Sequence, residues 1–204
     1  MVPVHAPQRG AHVLDVETLD VYWGAEGVDH EAMRVSCAVV HDVASARDLA
    51  FACQPLAGTE RLESLFHFLE ACRSEGCTLV GHGIRGFDWP ILAWEFQARG
   101  LVKDARAWHP AAARLVDTME ALHAKLGWRP SLEALARHNL GEGKLMAGAL
   151  APGLWREGRH EEVVGYCRKD VALTLRIWQK GRAEGRLKVE ELEDGTPHDV
   201  EVAW

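Results

Sequence analysis

Acidic side chains set into three distant segments constrain this chain more than any other feature. Asp15 and Glu17 interrupt the run VLDVETLD, Asp88 sits in GHGIRGFDWPIL, and Asp170 follows Tyr166 in VVGYCRKDVALT. Adjacent uncompensated acids repel one another and cost stability, and a bound cation removes that cost. A fold of this chain must therefore leave these acids in water or gather them around positive charge. Taken singly, each acid has a plain reading. Asp15 and Glu17 are solvated residues on a strand entering a turn. Asp88 is an N-cap, and Asp170 is a surface aspartate beside a half-buried tyrosine.

The surrounding pattern supplies the elements. Residues 12–16 read as a first strand, and 34–40 and 49–53 as a second and third, giving an antiparallel opening. Leu62, Leu65, Phe66 and Leu69 recur at helical spacing and place a helix over 62–72. Residues 78–81 form a short buried strand. A helix follows over 89–99, with Pro90 in its first turn and Gly100 beyond its end. Residues 114–116 are a further strand leading to a helix from Thr118. Ser131, with Glu133 nearby, opens the helix SLEALARHNL, and Gly141 closes it. The glycine- and alanine-rich stretch 141–153 reads as a mobile loop. A long helix runs over 160–184 and stops at Gly185. The tail, 187–192 and 200–202 around an Asp194-Gly195 turn signal, predicts a hairpin. Strands first, then strands alternating with helices, give an α/β domain with a mixed central sheet flanked by helices. At 204 residues, a single domain is expected.

The placement gives the acids a joint meaning. Asp15 and Glu17, two apart on a strand, share a face. Tyr166 and Asp170, four apart on the long helix, lie one turn from each other on one side. Asp88 opens a helix, whose start places a side chain firmly, and Phe87 reads as the buried anchor of its loop. Oxygen donors without cysteine or histidine spacing favour magnesium or manganese over zinc. Two such ions, about 4 Å apart, activate water and stabilise the leaving oxygen of a phosphodiester.

In this order and context the residues resemble the 3′–5′ exonucleases of the DEDD class, in the ribonuclease H-like superfamily. Asp15 and Glu17 match the first family motif. The segment from Gly83 to Asp88 lies where Asn-x-x-x-Phe-Asp belongs, and Tyr166 to Asp170 matches Tyr-x-x-x-Asp. The tyrosine subtype (DEDDy) is indicated, because Gly165 stands where the histidine subtype carries its histidine. LGEGK, AP-x-x-W-x-x-GR and YC-x-x-DV-x-LT are similar to a bacterial branch of exonucleases related to polymerase proofreading domains. The resemblance spans roughly residues 10–190. It implies a ribonuclease H-like fold, two Mg2+ or Mn2+ ions held by Asp15, Glu17, Asp88 and Asp170, and an attacking water oriented by Tyr166. Asp117 would support the site from behind or cap the next helix. The implied substrate is the 3′ end of single-stranded DNA, or RNA, cut to 5′-mononucleotides, and the implied role lies in DNA repair. The family asparagine is Gly83 here, which bears on substrate positioning. His82 is weighed as its substitute and as a structural histidine. A non-catalytic binding module and a structure-specific endonuclease of the same fold are the alternatives.

Arg85, Lys144, Phe87 and Trp89 are the candidate substrate contacts. Lone basic residues of this kind are more often solvated, and tryptophans on helices more often core; Trp89, beside Asp88, is the best base-stacking candidate. No zinc pattern joins the eleven histidines. No P-loop is present, since Lys144 is followed by Leu145. The net charge of −7 argues against a protein that coats DNA through a basic field, though bound cations reverse the sign locally. Five cysteines without a Cys-x-x-Cys pair suggest reduced thiols. With no long apolar run and no secretory pattern, a cytoplasmic protein without membrane contact is expected. The sequence assigns no helicase or polymerase partner.

Overall fold

The fold is built on β1 (Ala11–Thr18), whose residues alternate between two apolar layers. The computed structural model describes residues 10–24, 27–108, 114–192 and 195–204. A two-residue ribbon, β2 (Trp23–Gly24) with β3 (Gly27–Val28), follows β1. Next come β4 (Val35–Asp42), β5 (Arg47–Ala52), β6 (Glu60–Arg61), α1 (Leu62–Ser74) and β7 (Thr78–Gly81). The second half holds α2 (Asp88–Ala98), β8 (Arg114–Asp117), α3 (Thr118–Leu126) and α4 (Leu132–Leu140). A 3-10 turn (Gly148–Leu150), α5 (Ala151–Arg156), α6 (His160–Glu184), β9 (Arg186–Glu190) and β10 (Pro197–Glu201) complete it.

Six strands form one sheet in the order β6-β5-β4-β1-β7-β8. β1 is antiparallel to β4, and β4 to β5, while β1, β7 and β8 run parallel. This is the expected mixed sheet. Leu14 and Val16 of β1 pack with α1 and α2. Val13 packs on the opposite face with Trp155 of α5 and Val163, Cys167 and Val171 of α6. Because side chains alternate along a strand, Asp15 and Glu17 share Val13's face and look toward α6. A third cluster joins α3, α4, the second half of α6 and the β9–β10 hairpin.

Sequence and structure part company in a few places. The stretch 141–153 is not all loop: Ala151, Pro152 and Trp155 are buried as α5 forms, with Pro152 suited to a first helical turn. The two-residue strands β2, β3 and β6 have no signal of their own, since each is defined by its partner. The tail hairpin forms, with its strands shifted to Arg186–Glu190 and Pro197–Glu201. Asp194 of its turn signal, like the N-terminal residues 1–9, lies outside the described residues. None of the five cysteines forms a disulfide. No helix among the described residues is long and apolar enough to cross a membrane.

Candidate active site

β1 pairs with β7 only through Ala11, His12 and Val13, after which β7 ends and the chain turns away. The second half of β1 is thereby opened on that side. Asp88 fills the gap: its Oδ1 accepts a hydrogen bond from the Val16 backbone N–H at 2.9 Å. Asp88 is not the N-cap expected of it. Phe87 holds that position and Asp88 is the first helical residue, its carboxylate reaching across to β1. Tyr166 and Asp170 lie on the buried stripe of α6. Asp15, Glu17, Asp88, Tyr166 and Asp170 all line one cleft of about 780 Å3. Strand β1, the start of α2 and the middle of α6 thus contribute to one concave surface.

Crowding these acids has an electrostatic cost. Burial, then the charge of Asp170, pushes the Asp15 carboxyl up to about 7, against the pull of Lys144 and the Cys167 thiol. Glu17 is raised well above its ordinary value, by burial first and then by Asp15. Asp88 is raised well above its own for the same two reasons. Asp170 is raised by burial, with Lys144 opposing. Asp15 and Glu17 remain partly open to the cleft, so water tempers their penalty, whereas Asp88 and Asp170 are 3% and 2% exposed. Burial, followed by Asp170, also raises the Tyr166 phenol, which stays protonated at neutral pH.

The carboxylate oxygens here are donors suited to hard divalent cations, and the Cys167 sulfur beside them is not. One carboxylate oxygen each of Asp15 and Glu17 and the Cys167 sulfur lie within 4.8 Å of one another. The Oδ1 atom of Asp170 is buried without a hydrogen-bond partner among the described residues. Buried carboxylate oxygens crowded together and not satisfied by hydrogen bonds are what oxygen-seeking cations occupy.

Lys144 supplies the positive charge within this cluster. Its Nζ lies 2.5 Å from Asp170 Oδ2 and donates to the Tyr166 hydroxyl at 2.8 Å. Its backbone N–H is fixed by Glu133 Oε2 at 2.5 Å. It is therefore an element of the site rather than a solvated lone charge. Close by, a Cβ on Gly148 would stand 3.2 Å from the Tyr166 hydroxyl, so the backbone itself packs against the phenol.

The loop before Asp88 keeps its shape without the family asparagine. Gly83 has φ +87°, and a Cβ there would stand 2.9 Å from the Met119 methyl. Asp117, at the end of β8, holds the loop. Its Oδ1 accepts from Gly83 N–H at 2.9 Å and caps α3 through Met119 and Glu120 N–H, while Oδ2 accepts from Arg85 N–H at 2.9 Å. Both expected roles of Asp117 are therefore combined. His82 bonds Thr118 Oγ1 and Pro130 O, each at 3.0 Å, and burial lowers its pKa to about 4. It is a neutral structural histidine that also lines the cleft.

Two of the candidate substrate contacts do not line the cleft. Trp89 is fully buried, stacked on Trp108 with ring centroids 4.3 Å apart, and its Nε1 donates to Trp108 O at 2.9 Å. With its face covered, it offers no platform to a base. Arg85 turns to Glu120 (3.0 Å) and Leu115 O (2.7 Å) and does not line the cleft. Phe87 does line it, half-buried. Arg129, Arg156 and Asp20 line it as well, Arg156 paired to Asp20. No spacing in the sequence connects these three to the acids. Cys167 was legible in principle, since it lies three residues before Asp170 on the same helix.

No family model matches the chain, and neither does any curated protein. Among solved structures, the family B DNA polymerase of the hyperthermophilic archaeon Pyrobaculum calidifontis is similar, with a TM-score of 0.62 and 17% identity. The likeness covers 84% of this chain and 24% of the polymerase, so the chain spans about a quarter of that protein's length. At such identity the likeness speaks to fold alone. The mixed six-stranded sheet with its flanking helices is similar in fold to part of that polymerase, consistent with the expected ribonuclease H-like fold.

Proposed function

We propose that this chain is a metal-dependent 3′–5′ exonuclease. It would hydrolyse phosphodiester bonds of nucleic acid and release 5′-mononucleotides. Single-stranded DNA is favoured over RNA by the motif resemblance. The observation that carries the reading is the convergence of four carboxylates and one phenol, from β1, α2 and α6, in one cleft. Asp15, Glu17, Asp88 and Asp170 would hold two Mg2+ or Mn2+ ions. Such ions supply water activation, and neutralise charge on the phosphate and the leaving oxygen.

The chain's own groups have distinct parts. Tyr166, protonated at neutral pH, orients the attacking water as donor and acceptor and is not a base. Lys144 leaves its place beside Asp170 or shares it, and meets the negative phosphate. Phe87 offers an apolar edge to the terminal nucleotide. Asp117 fixes the loop that presents Asp88. With Asp117 holding Gly83 N–H, the loop that presents Asp88 keeps its shape with glycine at the family's asparagine position.

The test is release of nucleotide from a 3′-labelled single strand as Mg2+ or Mn2+ is titrated. Glu17→Gln and Asp170→Asn should each cut turnover at least about 100-fold while circular dichroism stays native. Wild-type turnover by either purified variant would refute the role of that residue. Metal-dependent binding without cleavage would favour the binding module. Cutting of a covalently closed circle would favour an endonuclease.

A further inference from the structure

A second cluster lies away from the cleft, on the α1 side of the sheet. Gly76 (φ +66°) ends α1 in a left-handed turn. Cys77 N–H donates to Cys72 O at 2.8 Å, and Gly76 N–H to Arg73 O at 3.3 Å. This paired closure sets the residue just past a helix against the third from its end. Here both are cysteines, and both are buried. Strand alternation turns His12 to the same side as Leu14 and Val16, where its ring meets Phe68 of α1 edge-on at 5.3 Å. One ring nitrogen of His12 and the two sulfurs lie within 4.8 Å of one another.

We propose that Cys72, Cys77 and His12 form a second metal site, for a thiophilic divalent ion of the zinc class. Bonds of about 2.0–2.3 Å in a tetrahedral centre hold neighbouring donors about 3.4–3.8 Å apart, so closing on an ion takes shifts of about 1 Å. Asp42 stands directly across the β1–β4 ladder from His12, with Oδ1 3.8 Å from Nδ1. Its carboxylate is itself held by Ala44 N–H at 3.0 Å and Ser45 Oγ at 2.7 Å. At 3.8 Å from Nδ1 the carboxylate acts on the ring through its charge and makes no hydrogen bond to it. Binding releases one proton from each thiol, and two thiolates with a divalent ion are neutral together. Burial of the loaded centre therefore carries little charge penalty. Sulfur and imidazole select against the magnesium-type ions suited to the cleft. The site ties the start of β1, the end of α1 and the approach to β7, three residues before Asp15. It stands independently of the exonuclease reading.

Full-length protein stripped of metal and held in excess Mg2+ is titrated with Co2+ as probe. A thiolate-to-cobalt charge-transfer band is expected, saturating at one ion per chain and bleached by Zn2+. Cys72→Ser and Cys77→Ser should lose it; Cys167→Ser, which alters the cleft thiol, should keep it. X-ray absorption of the zinc-loaded wild type should find two sulfur neighbours at about 2.3 Å. That measurement needs no variant, so a folding defect in the serine variants does not blunt the test. Absence of the band, its survival in Cys72→Ser, or zinc with only nitrogen and oxygen neighbours overturns the site.

Discussion

Asp15 is where the opposed demands of folding and chemistry meet on one side chain. Its folded-state pKa of about 7 stands above the ordinary 3.8. A raised carboxylate is favourable to the fold while protonated and unfavourable once ionised. For the metal-free protein this contribution is therefore lost as pH rises from about 4 to about 7. Asp15→Asn removes the charge and keeps an oxygen for the Cys167 thiol. At pH 8 without divalent ions, the variant should be more stable than wild type and melt at a higher temperature, a gain kept to a few kcal/mol at most because water reaches the cleft. The gain should vanish near pH 4, where wild-type Asp15 is mostly protonated. His82, lowered to about 4, weakens the fold as pH falls, but equally in both proteins, so it cancels. Mn2+ should raise the melting temperature of wild type much more than that of the variant. Equal melting temperatures at pH 8 would mean that Asp15 carries no such penalty. The acids themselves were legible in the sequence because strand and helix periods fix which side chains share a face. Lys144 as their counter-charge was not: nothing in its spacing joins position 144 to 170, and only the path of the chain after α4 brings them together.

At the scale of elements, the junction of β8 with α3 does the most to shape the site. One carboxylate, Asp117, receives four backbone N–H groups, two from the loop before α2 and two from α3. Asp117→Ala would orphan them. Losing a helix cap costs about 1 kcal/mol, and hydrogen bonds to a charged group are worth about 1.5–3 kcal/mol each. Water reaching the loop recovers part, so a loss of about 2–4 kcal/mol in denaturant titration is expected. Metal affinity should fall as well, since Gly83 and Arg85 no longer fix the approach to Asp88. Unchanged stability would show that the loop is held by other means. Periodic helices such as α1, α4 and α6 were readable from sequence, α6 to its terminal residues. α5 was not, because glycine and alanine flank it and its evidence is the burial of Trp155 in a cluster built by other segments. Trp89 takes the core place commoner for a helix tryptophan, but its partner Trp108, from a stretch without periodicity, was not legible.

Over the whole molecule, the net charge of −7 gives no hint of the positive charge that the cleft needs, because a few residues decide the local field. The hairpin β9–β10 raises a different question, whether it is an appended surface or part of the domain. Leu187, Val189, Val200 and Val202 are buried against Leu122, Leu132, Leu135, Leu173 and Ile177. Trp204 Nε1 donates to Trp178 O at 3.1 Å, and its ring covers Gly181, where a Cβ would collide with it. The hairpin thus braces the second half of α6, the helix that carries Tyr166 and Asp170 in its first half. Burying four such side chains contributes about 6–12 kcal/mol, comparable to the roughly 5–15 kcal/mol that holds a whole domain together. Removing residues 186–204 should therefore leave a chain that does not fold cooperatively. Val200→Asp, which keeps every backbone bond of the ribbon, should lower the melting temperature sharply and reduce the proposed nuclease activity only in step with the folded fraction. Thermal unfolding and activity measured on the same samples decide the matter. A truncated chain that melts cooperatively at the wild-type temperature would identify the hairpin as a free-standing surface instead.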